Sequence, residues 1–97
     1  ACMNHYLVAY DICCPKRRRK LLKVLEDFAY RVQYSVFEMY VGEIELKKIK
    51  NWIERTIKKD EDSVLIYELG ALTEKNRMIY GLKYKETVAY NDKYRIL

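Results

Sequence analysis

The stretch Ala9-Tyr10-Asp11-Ile12-Cys13-Cys14-Pro15-Lys16-Arg17-Arg18-Arg19-Lys20 decides how this chain is organised. It predicts an apolar strand that ends in an acid, a short turn, and a helix that opens with five consecutive basic residues. Pro15 fits the first helical position, because that residue's nitrogen has no intrahelical hydrogen bond to lose. The first turn of a helix carries unpaired N–H groups and a partial positive charge, so a basic run there is unfavourable without an anionic partner.

Asp11 is the acid nearest to this basic helix start along the chain. A carboxylate at the end of a strand, facing a cationic helix start, suggests a site for phosphate together with a metal ion. The alternative is a solvated basic helix end, in which Asp11 is an ordinary turn acid.

Two arginines of the basic run differ from their neighbours. Arg17 and Arg18 continue the apolar stripe of the helix by one turn, so they should overhang the sheet close to Asp11. The alternative is that both side chains only snorkel towards water. The helical pattern puts the other basic residues on the opposite, wet face: Lys16, Arg19, Lys20 and Lys23.

The composition bounds the class of protein. The 97 residues are enough for one domain, 51% of them are hydrophobic, and they include only three glycines and one proline. No apolar run approaches the ~20 residues that a membrane-spanning helix needs, and no signal peptide is visible, so we expect a cytoplasmic protein without a membrane partner.

Three cysteines, two of them adjacent, fit reduced thiols rather than a disulfide framework or a metal site. The net charge of +5 suits a polyanionic partner, although lysine-rich surfaces also serve solubility.

The remaining chain alternates strand and helix patterns and ends in a tyrosine-rich tail. The eleven extended residues after the first helix form either one long strand or a hairpin that turns near Tyr34-Ser35. The predicted elements are strands at 5–11, 31–41 and 63–69, helices from Pro15 to about Ala29 and from Glu43 to Lys59, and further strands at 78–82 and 87–90.

This order predicts an α+β fold, a ferredoxin-like βαββαβ sandwich with an extra C-terminal strand. Residues 1–82 would form the domain, and residues 83–97 a tail or strand that could be exchanged with a partner chain. Both helices would cover one face of a sheet whose strands are apolar on both faces. We therefore expect a homodimer that packs sheet to sheet.

The chain resembles the CRISPR-associated protein 2 family, the small subunit of the spacer-acquisition machinery. The resemblance is carried by Tyr10-Asp11-Ile12, the arginine-rich helix start, Arg31-Val32-Gln33-Tyr34-Ser35-Val36-Phe37-Glu38 and Ser63-Val64-Leu65-Ile66-Tyr67. It implies the hairpin form of the middle segment and a dimeric ferredoxin-like fold. It also implies a magnesium-dependent endonuclease of antiviral defence, acting on single-stranded RNA or double-stranded DNA, or a non-catalytic scaffold that holds duplex DNA for the CRISPR integrase subunit.

The resemblance also implies roles for individual residues. Asp11 would bind Mg²⁺, with one ion shared between the two copies in a dimer, and Tyr10 would be a second catalytic residue. Phe37 would be structural near the site. Lys20 stands where some members carry arginine, which keeps the charge but loses the bidentate fork. Arg18, Lys20 and Arg31 match basic positions of the family, and with Arg17 and Arg19 of the basic run they are the predicted nucleic-acid-binding residues.

Three functions remain open at this point. A nuclease would use Asp11 with Mg²⁺, and Glu38 would be a spare acid at the surface of a strand. A scaffold would present doubled basic patches to the phosphates of a duplex. A regulatory RNA-binding domain ranks last, because the sequence lacks an aromatic strand motif of the RNA-recognition type.

Overall fold

The computed structural model describes residues 3–70, 78, 80 and 81. Within them the chain forms strand, helix, strand, strand, helix and strand. The elements are β1 (Asn4–Asp11), α1 (Pro15–Phe28), β2 (Ala29–Gln33), β3 (Val36–Val41), α2 (Glu43–Thr56) and β4 (Ser63–Gly70).

The four strands form one antiparallel sheet in the order β2-β3-β1-β4. The two long strands β1 and β4 pair along almost their whole length, from His5–Gly70 to Asp11–Ser63. β1 therefore lies in the middle of the sheet, and its end meets the beginning of β4. This is the ferredoxin-like βαββαβ arrangement that the sequence predicts.

The core lies between the helices and one face of the sheet. Side chains alternate along a strand, so β1 sends every second residue towards the helices. Leu21 and Leu25 of α1 and Ile49 and Ile53 of α2 meet these strand residues from above. The buried apolar residues of the strands and of the segments that join them are Tyr6, Val8, Tyr10, Ile12, Ala29, Tyr30, Phe37, Met39 and Val41.

The segment 31–41 forms a hairpin rather than one long strand. Residues 34 and 35 form the turn between β2 and β3. The Tyr10 backbone N–H donates a 3.1 Å hydrogen bond to the Ser35 carbonyl, which fastens this turn to the end of β1. The hairpin end therefore lies beside the residues that precede the basic helix.

The face of the sheet that points away from the helices exposes apolar side chains. Leu65 and Tyr67 of β4 are 50% and 56% exposed, and Tyr40 of β3 is 48% exposed. Leu7 and Ala9 of β1 lie between them in register. We call this surface, made by Leu7, Ala9, Tyr40, Leu65 and Tyr67, the open face.

Two expectations from the sequence need correction. α2 ends at Thr56 instead of Lys59, because the Lys58 backbone N–H bonds to the Asp62 carboxylate (2.8 Å) in a loop that turns towards β4. Glu38 is not a surface residue: it is 7% exposed and lies opposite Leu7 in the middle of the sheet.

Most elements predicted for the C-terminal part of the chain fall on residues outside the described ones. This holds for the strand at 87–90, for the extra C-terminal strand and for the tail at 83–97. Of the predicted strand at 78–82, the described residues Met78, Tyr80 and Gly81 have no strand assignment. Among the residues that the structure describes, no helix has the length and apolar character needed to cross a membrane.

Candidate functional site

Asp11 lies at an edge of the open face. It is the last residue of β1, pairs in register with Ser63, and is exposed. Because side chains alternate along a strand, it shares its face with Leu7 and Ala9. The carboxylate is therefore accessible to solvent and borders the apolar surface.

The metal-binding capacity of one chain at Asp11 is small. Within residues 3–70, 78, 80 and 81, no three His, Cys, Asp or Glu side chains are grouped so that they could hold an ion. Mg²⁺ usually keeps several waters and binds through one or two carboxylates together with phosphate oxygens. A single exposed carboxylate fits this mode of binding, and a second carboxylate would have to come from another copy of the chain.

Tyr10 belongs to a cluster on the opposite face of the sheet from Asp11. Its side chain is 7% exposed, and its ring lies 6.3 Å from that of Phe37. The Arg31 guanidinium lies 5.2 Å from the centre of the Phe37 ring and hydrogen-bonds to Tyr10. Burial raises the pKa of the Tyr10 hydroxyl, and Arg31 offsets part of this shift. The structure thus brings Tyr10, Arg31 and Phe37 together, but it does not bring them to Asp11.

Arg18 lies at the end of β1, where the helical pattern predicts it. Its side chain is half-buried, and Nη1 donates a 3.1 Å hydrogen bond to the carbonyl of Ile12, the residue after Asp11. This contact fastens the first turn of α1 to the turn that follows the strand. The Arg18 side chain therefore lies beside the strand end that carries Asp11.

Arg17 is held by an acid that the sequence reasoning missed. Its Nε donates to Asp62 Oδ2 at 2.7 Å, and its Nη2 donates to Asp62 Oδ1 at 3.1 Å. Glu61 Oε1 is a further acceptor at 3.4 Å. The Arg17 bond, followed by that from the Lys58 backbone, holds the pKa of Asp62 below its usual value, while the carboxylate raises the pKa of Arg17 above its own. The anionic partner of the basic helix start is thus an acid 45 residues away.

The sequence does contain a pattern that could have identified Asp62 as the partner of Arg17. Asp60, Glu61 and Asp62 directly precede the last predicted strand. In the βαββαβ topology that strand starts where β1 ends, so an acidic run at this place comes to lie beside the start of α1. Only the topology reveals this neighbourhood, because the two segments are far apart along the chain.

The turn after Asp11 carries the two adjacent cysteines. Cys13 is exposed, and Cys14 is half-buried at the N-cap position of α1. The backbone N–H of Arg17, and then that of Lys16, lowers the pKa of the Cys14 thiol by stabilising the thiolate. Both cysteines are free thiols, as the composition indicates.

The remaining predicted nucleic-acid contacts lie on the outside of α1. Arg19 and Lys20 are exposed, as are Lys16 and Lys23 on the same helix. The Lys20 carbonyl accepts a 3.0 Å hydrogen bond from the indole of Trp52, which joins α1 to α2. This helix thus presents a solvent-facing basic surface, which we call the α1 basic face, made by Lys16, Arg19, Lys20 and Lys23.

Comparison with known proteins agrees with this architecture. The family model for CRISPR associated protein Cas2 matches residues 3–77. A CRISPR-associated endoribonuclease Cas2 from Synechocystis is 41% identical over 81 residues, covering 81% of this chain and 86% of the relative. One from Chloroflexus aurantiacus is 34% identical over 76 residues, covering 78% and 82%.

A solved structure is similar over most of the chain as well. The crystal structure of Streptococcus pyogenes Cas2 at pH 6.5 superimposes with a TM-score of 0.72 and 34% sequence identity. The match covers 79% of this chain and 99% of that one. The family match over residues 3–77, the two relatives and the shared fold together show that this chain belongs to the CRISPR associated protein Cas2 family.

Proposed function

We propose that this protein is a magnesium-dependent endonuclease of CRISPR adaptation that cleaves phosphodiester bonds in single-stranded RNA or double-stranded DNA. The observation that carries the proposal is the position of Asp11, an exposed carboxylate at the border of an uncovered apolar sheet face. The names of the relatives, CRISPR-associated endoribonucleases, support the reaction class.

The open face supports a homodimer as the working form. Leu65, Tyr67 and Tyr40 are each about half exposed, and burying such side chains contributes roughly 25 cal/mol per Å² of apolar area. A second copy offers a surface of the same chemistry, as a two-fold interface requires. Asp11 borders this surface, so stacking two open faces would bring two carboxylates to one interface.

Each part of the chain would have a separate task in cleavage. Asp11 would hold Mg²⁺, which supplies charge neutralisation at the phosphoryl oxygens and a more acidic bound water. Arg19 and Lys20 on the α1 basic face would bind flanking phosphates. The buried Tyr10–Arg31–Phe37 cluster would keep the strand end rigid, so that the carboxylate is presented in one orientation.

The proposal is tested by a cleavage assay on single- and double-stranded RNA and DNA, with Mg²⁺ and with chelator. Asp11→Asn removes the charge and keeps the shape of the side chain, so we expect cleavage to fall at least about 100-fold. Asp27→Asn is the matched control, because Asp27 is an exposed acid near the far end of α1. Cleavage that persists in Asp11→Asn, or in chelator, would contradict the assignment.

A second candidate function is a scaffold that holds duplex DNA for the CRISPR integrase subunit. The observation that favours it is the α1 basic face, which is exposed and would be doubled in a dimer. The variant Asp11→Asn distinguishes the two functions. If the protein is a nuclease, the variant loses cleavage; under either function, it keeps or slightly strengthens its binding of duplex DNA. A wild-type protein that binds duplex DNA without cleaving any of the four substrates would favour the scaffold.

A further inference from the structure

Arg17 and Asp62 form a bidentate ion pair between distant parts of the described chain. The Asp62 side chain has no exposed surface. Its two oxygens accept three hydrogen bonds, from Arg17 Nε at 2.7 Å, from Arg17 Nη2 at 3.1 Å and from the Lys58 backbone at 2.8 Å. This bidentate geometry fixes both the distance and the orientation of the two groups.

Arg17 and Asp62 belong to the two segments next to the strand end that carries Asp11, the start of α1 and the start of β4. Asp62 immediately precedes Ser63, the residue that pairs with Asp11 across β1 and β4. Arg17 stands in the first turn of α1, after the turn of residues 12–14. The contact therefore joins the start of β4 to the start of α1, and the turn that leaves Asp11 runs between them.

Arg17 is poorly suited to bind phosphate in this arrangement. Two of its nitrogens already donate to Asp62 and Glu61, and Glu61 in turn pairs with Lys58 at 2.7 Å. The network contains two cations and two anions, so its net charge is zero. The ion pairs found in the described part of the chain involve Arg17 and Lys58 but not the exposed Arg19 on the same helix as Arg17.

We propose that Arg17 and Asp62 are positioning residues, which hold the turn after β1 so that the Asp11 carboxylate keeps a fixed place at the border of the open face. This inference rests on the proposed nuclease function. It assigns Arg17 a task different from that of Arg19 and Lys20, although all three belong to one basic run. A mispositioning of about 1 Å can cost up to 100-fold in rate, so the effect is large enough to measure.

The test compares Arg17→Met, Asp62→Asn and the control Arg19→Met by steady-state kinetics, Mg²⁺ titration and the salt dependence of nucleic-acid binding. We expect Arg17→Met and Asp62→Asn to lower kcat about 10- to 100-fold and to raise the Mg²⁺ concentration for half-maximal rate. Their KM and salt slope should stay within about twofold of wild type. Arg19→Met should instead raise KM and reduce the salt slope by about 1.

The opposite pattern would overturn the inference. If Arg17 binds phosphate, Arg17→Met raises KM and reduces the salt slope, while Asp62→Asn releases Arg17 and tightens binding. Unchanged kcat in both variants would overturn it as well. If either variant does not fold, Arg17→Lys keeps the charge, loses the fork, and should show the same split between kcat and KM.

The experiment also distinguishes failure of the proposed nuclease function from failure of the positioning role. Wild-type protein inactive on all four substrates would overturn that function and leave the pair to be tested by hydrogen exchange. In that case, faster exchange of the amides of residues 12–14 in Arg17→Lys, but not in Arg19→Lys, would support the positioning role. Equal exchange in the two variants would overturn it.

Discussion

Tyr10 and Asp11 are consecutive residues of β1, yet their side chains lie on opposite faces of the sheet. Tyr10 is 7% exposed and packs beneath the helices with Phe37, whereas Asp11 is exposed at the border of the open face. The alternation of a strand separates the two groups, although they are adjacent in sequence. A reagent or substrate bound at the carboxylate would therefore not reach the hydroxyl from the same side.

This separation predicts different results for substitutions at the two positions. We expect Tyr10→Phe to keep Mg²⁺-dependent cleavage within about threefold of wild type, because the hydroxyl is buried and its raised pKa keeps it protonated near neutral pH. Loss of the bond to Arg31 should lower the free energy of unfolding by about 1.5–3 kcal/mol. Cleavage assays and urea denaturation measure the two effects separately.

Asp11→Asn provides the comparison for Tyr10→Phe. We expect it to lose cleavage and to change stability little, since the side chain is exposed. A Tyr10→Phe variant that folds normally but loses cleavage as completely as Asp11→Asn would support the direct catalytic role that the family resemblance implies for Tyr10.

Most of the fold is predictable from the sequence because its signals are local. The spacing of Leu21 and Leu25, and of Ile49 and Ile53, marks the buried faces of the two helices. The hairpin remained ambiguous because its turn at Tyr34-Ser35 contains no Gly, Pro or Asn. The sequence predicts too late an end for α2 because Ile57 continues the apolar spacing. The helix ends earlier because the Lys58 backbone N–H bonds to the side chain of Asp62, four residues further along the chain.

The positions of site residues were predictable only where the residues that determine them lie in one continuous segment. The positions of Asp11 and Arg18 follow from strand alternation and helical spacing within residues 9–20. The partner of Arg17 could not be found in this way, because Asp62 becomes its neighbour only when β4 pairs with β1. Burial of Glu38 depends equally on the strands beside it, since an acid in an alternating strand is by default a surface residue.

If the open face forms the interface of the proposed dimer, a single charge placed on it should dissociate that dimer. Tyr67→Asp places a carboxylate within this apolar surface, on the edge strand β4, and stacking two open faces would remove that charge from water. We expect the dissociation constant to rise on the order of 100-fold or more, since an unpaired buried charge costs about 3 kcal/mol or more. Analytical ultracentrifugation over a range of concentrations measures the shift.

A matched control for Tyr67→Asp lies on the opposite side of the molecule. Ile44 of α2 is 67% exposed, so Ile44→Asp adds the same charge to the helix layer and should leave the association unchanged. If Tyr67→Asp remains as dimeric as wild type, another surface forms the interface and the proposed pairing of two Asp11 carboxylates is wrong.

The α1 basic face predicts a strong salt dependence of duplex binding. If a dimer neutralises about six phosphates, the logarithm of the association constant should fall with the logarithm of salt concentration at a slope of about −5. Lys20→Ala should reduce this slope by about 1 for each phosphate contact that it removes. Lys47→Ala, an exposed lysine at the start of α2, is the control and should leave the slope unchanged if binding uses α1 alone. A nearly flat dependence in wild type would argue against phosphate binding by this face.

The bond between Arg17 and Asp62 predicts how the protein unfolds in acid. Arg17, and then the Lys58 backbone, holds the pKa of Asp62 below its ordinary value of 3.8. Because the folded pKa lies below the unfolded one, the stabilisation is complete above the unfolded pKa and is lost as the pH falls through the folded pKa. Between about pH 5 and pH 2, the urea midpoint of wild type should therefore fall more steeply than that of Asp62→Asn, and the gap between them should be widest at neutral pH.

Two further variants separate this effect from a general response to acid. Asp27→Asn removes an exposed acid, so its urea midpoint should follow the wild-type pH dependence. The acid dependence of the urea midpoint of Glu61→Gln should lie between those of wild type and Asp62→Asn. Lys58, and then Arg17, lowers the pKa of Glu61, but water screens its half-exposed side chain, so this carboxylate contributes less to the pH dependence than Asp62. If Asp62→Asn and wild type lose stability in parallel down to pH 2, the carboxylate of Asp62 is not held more strongly in the folded state. The bidentate bond to Arg17 would then not persist in solution.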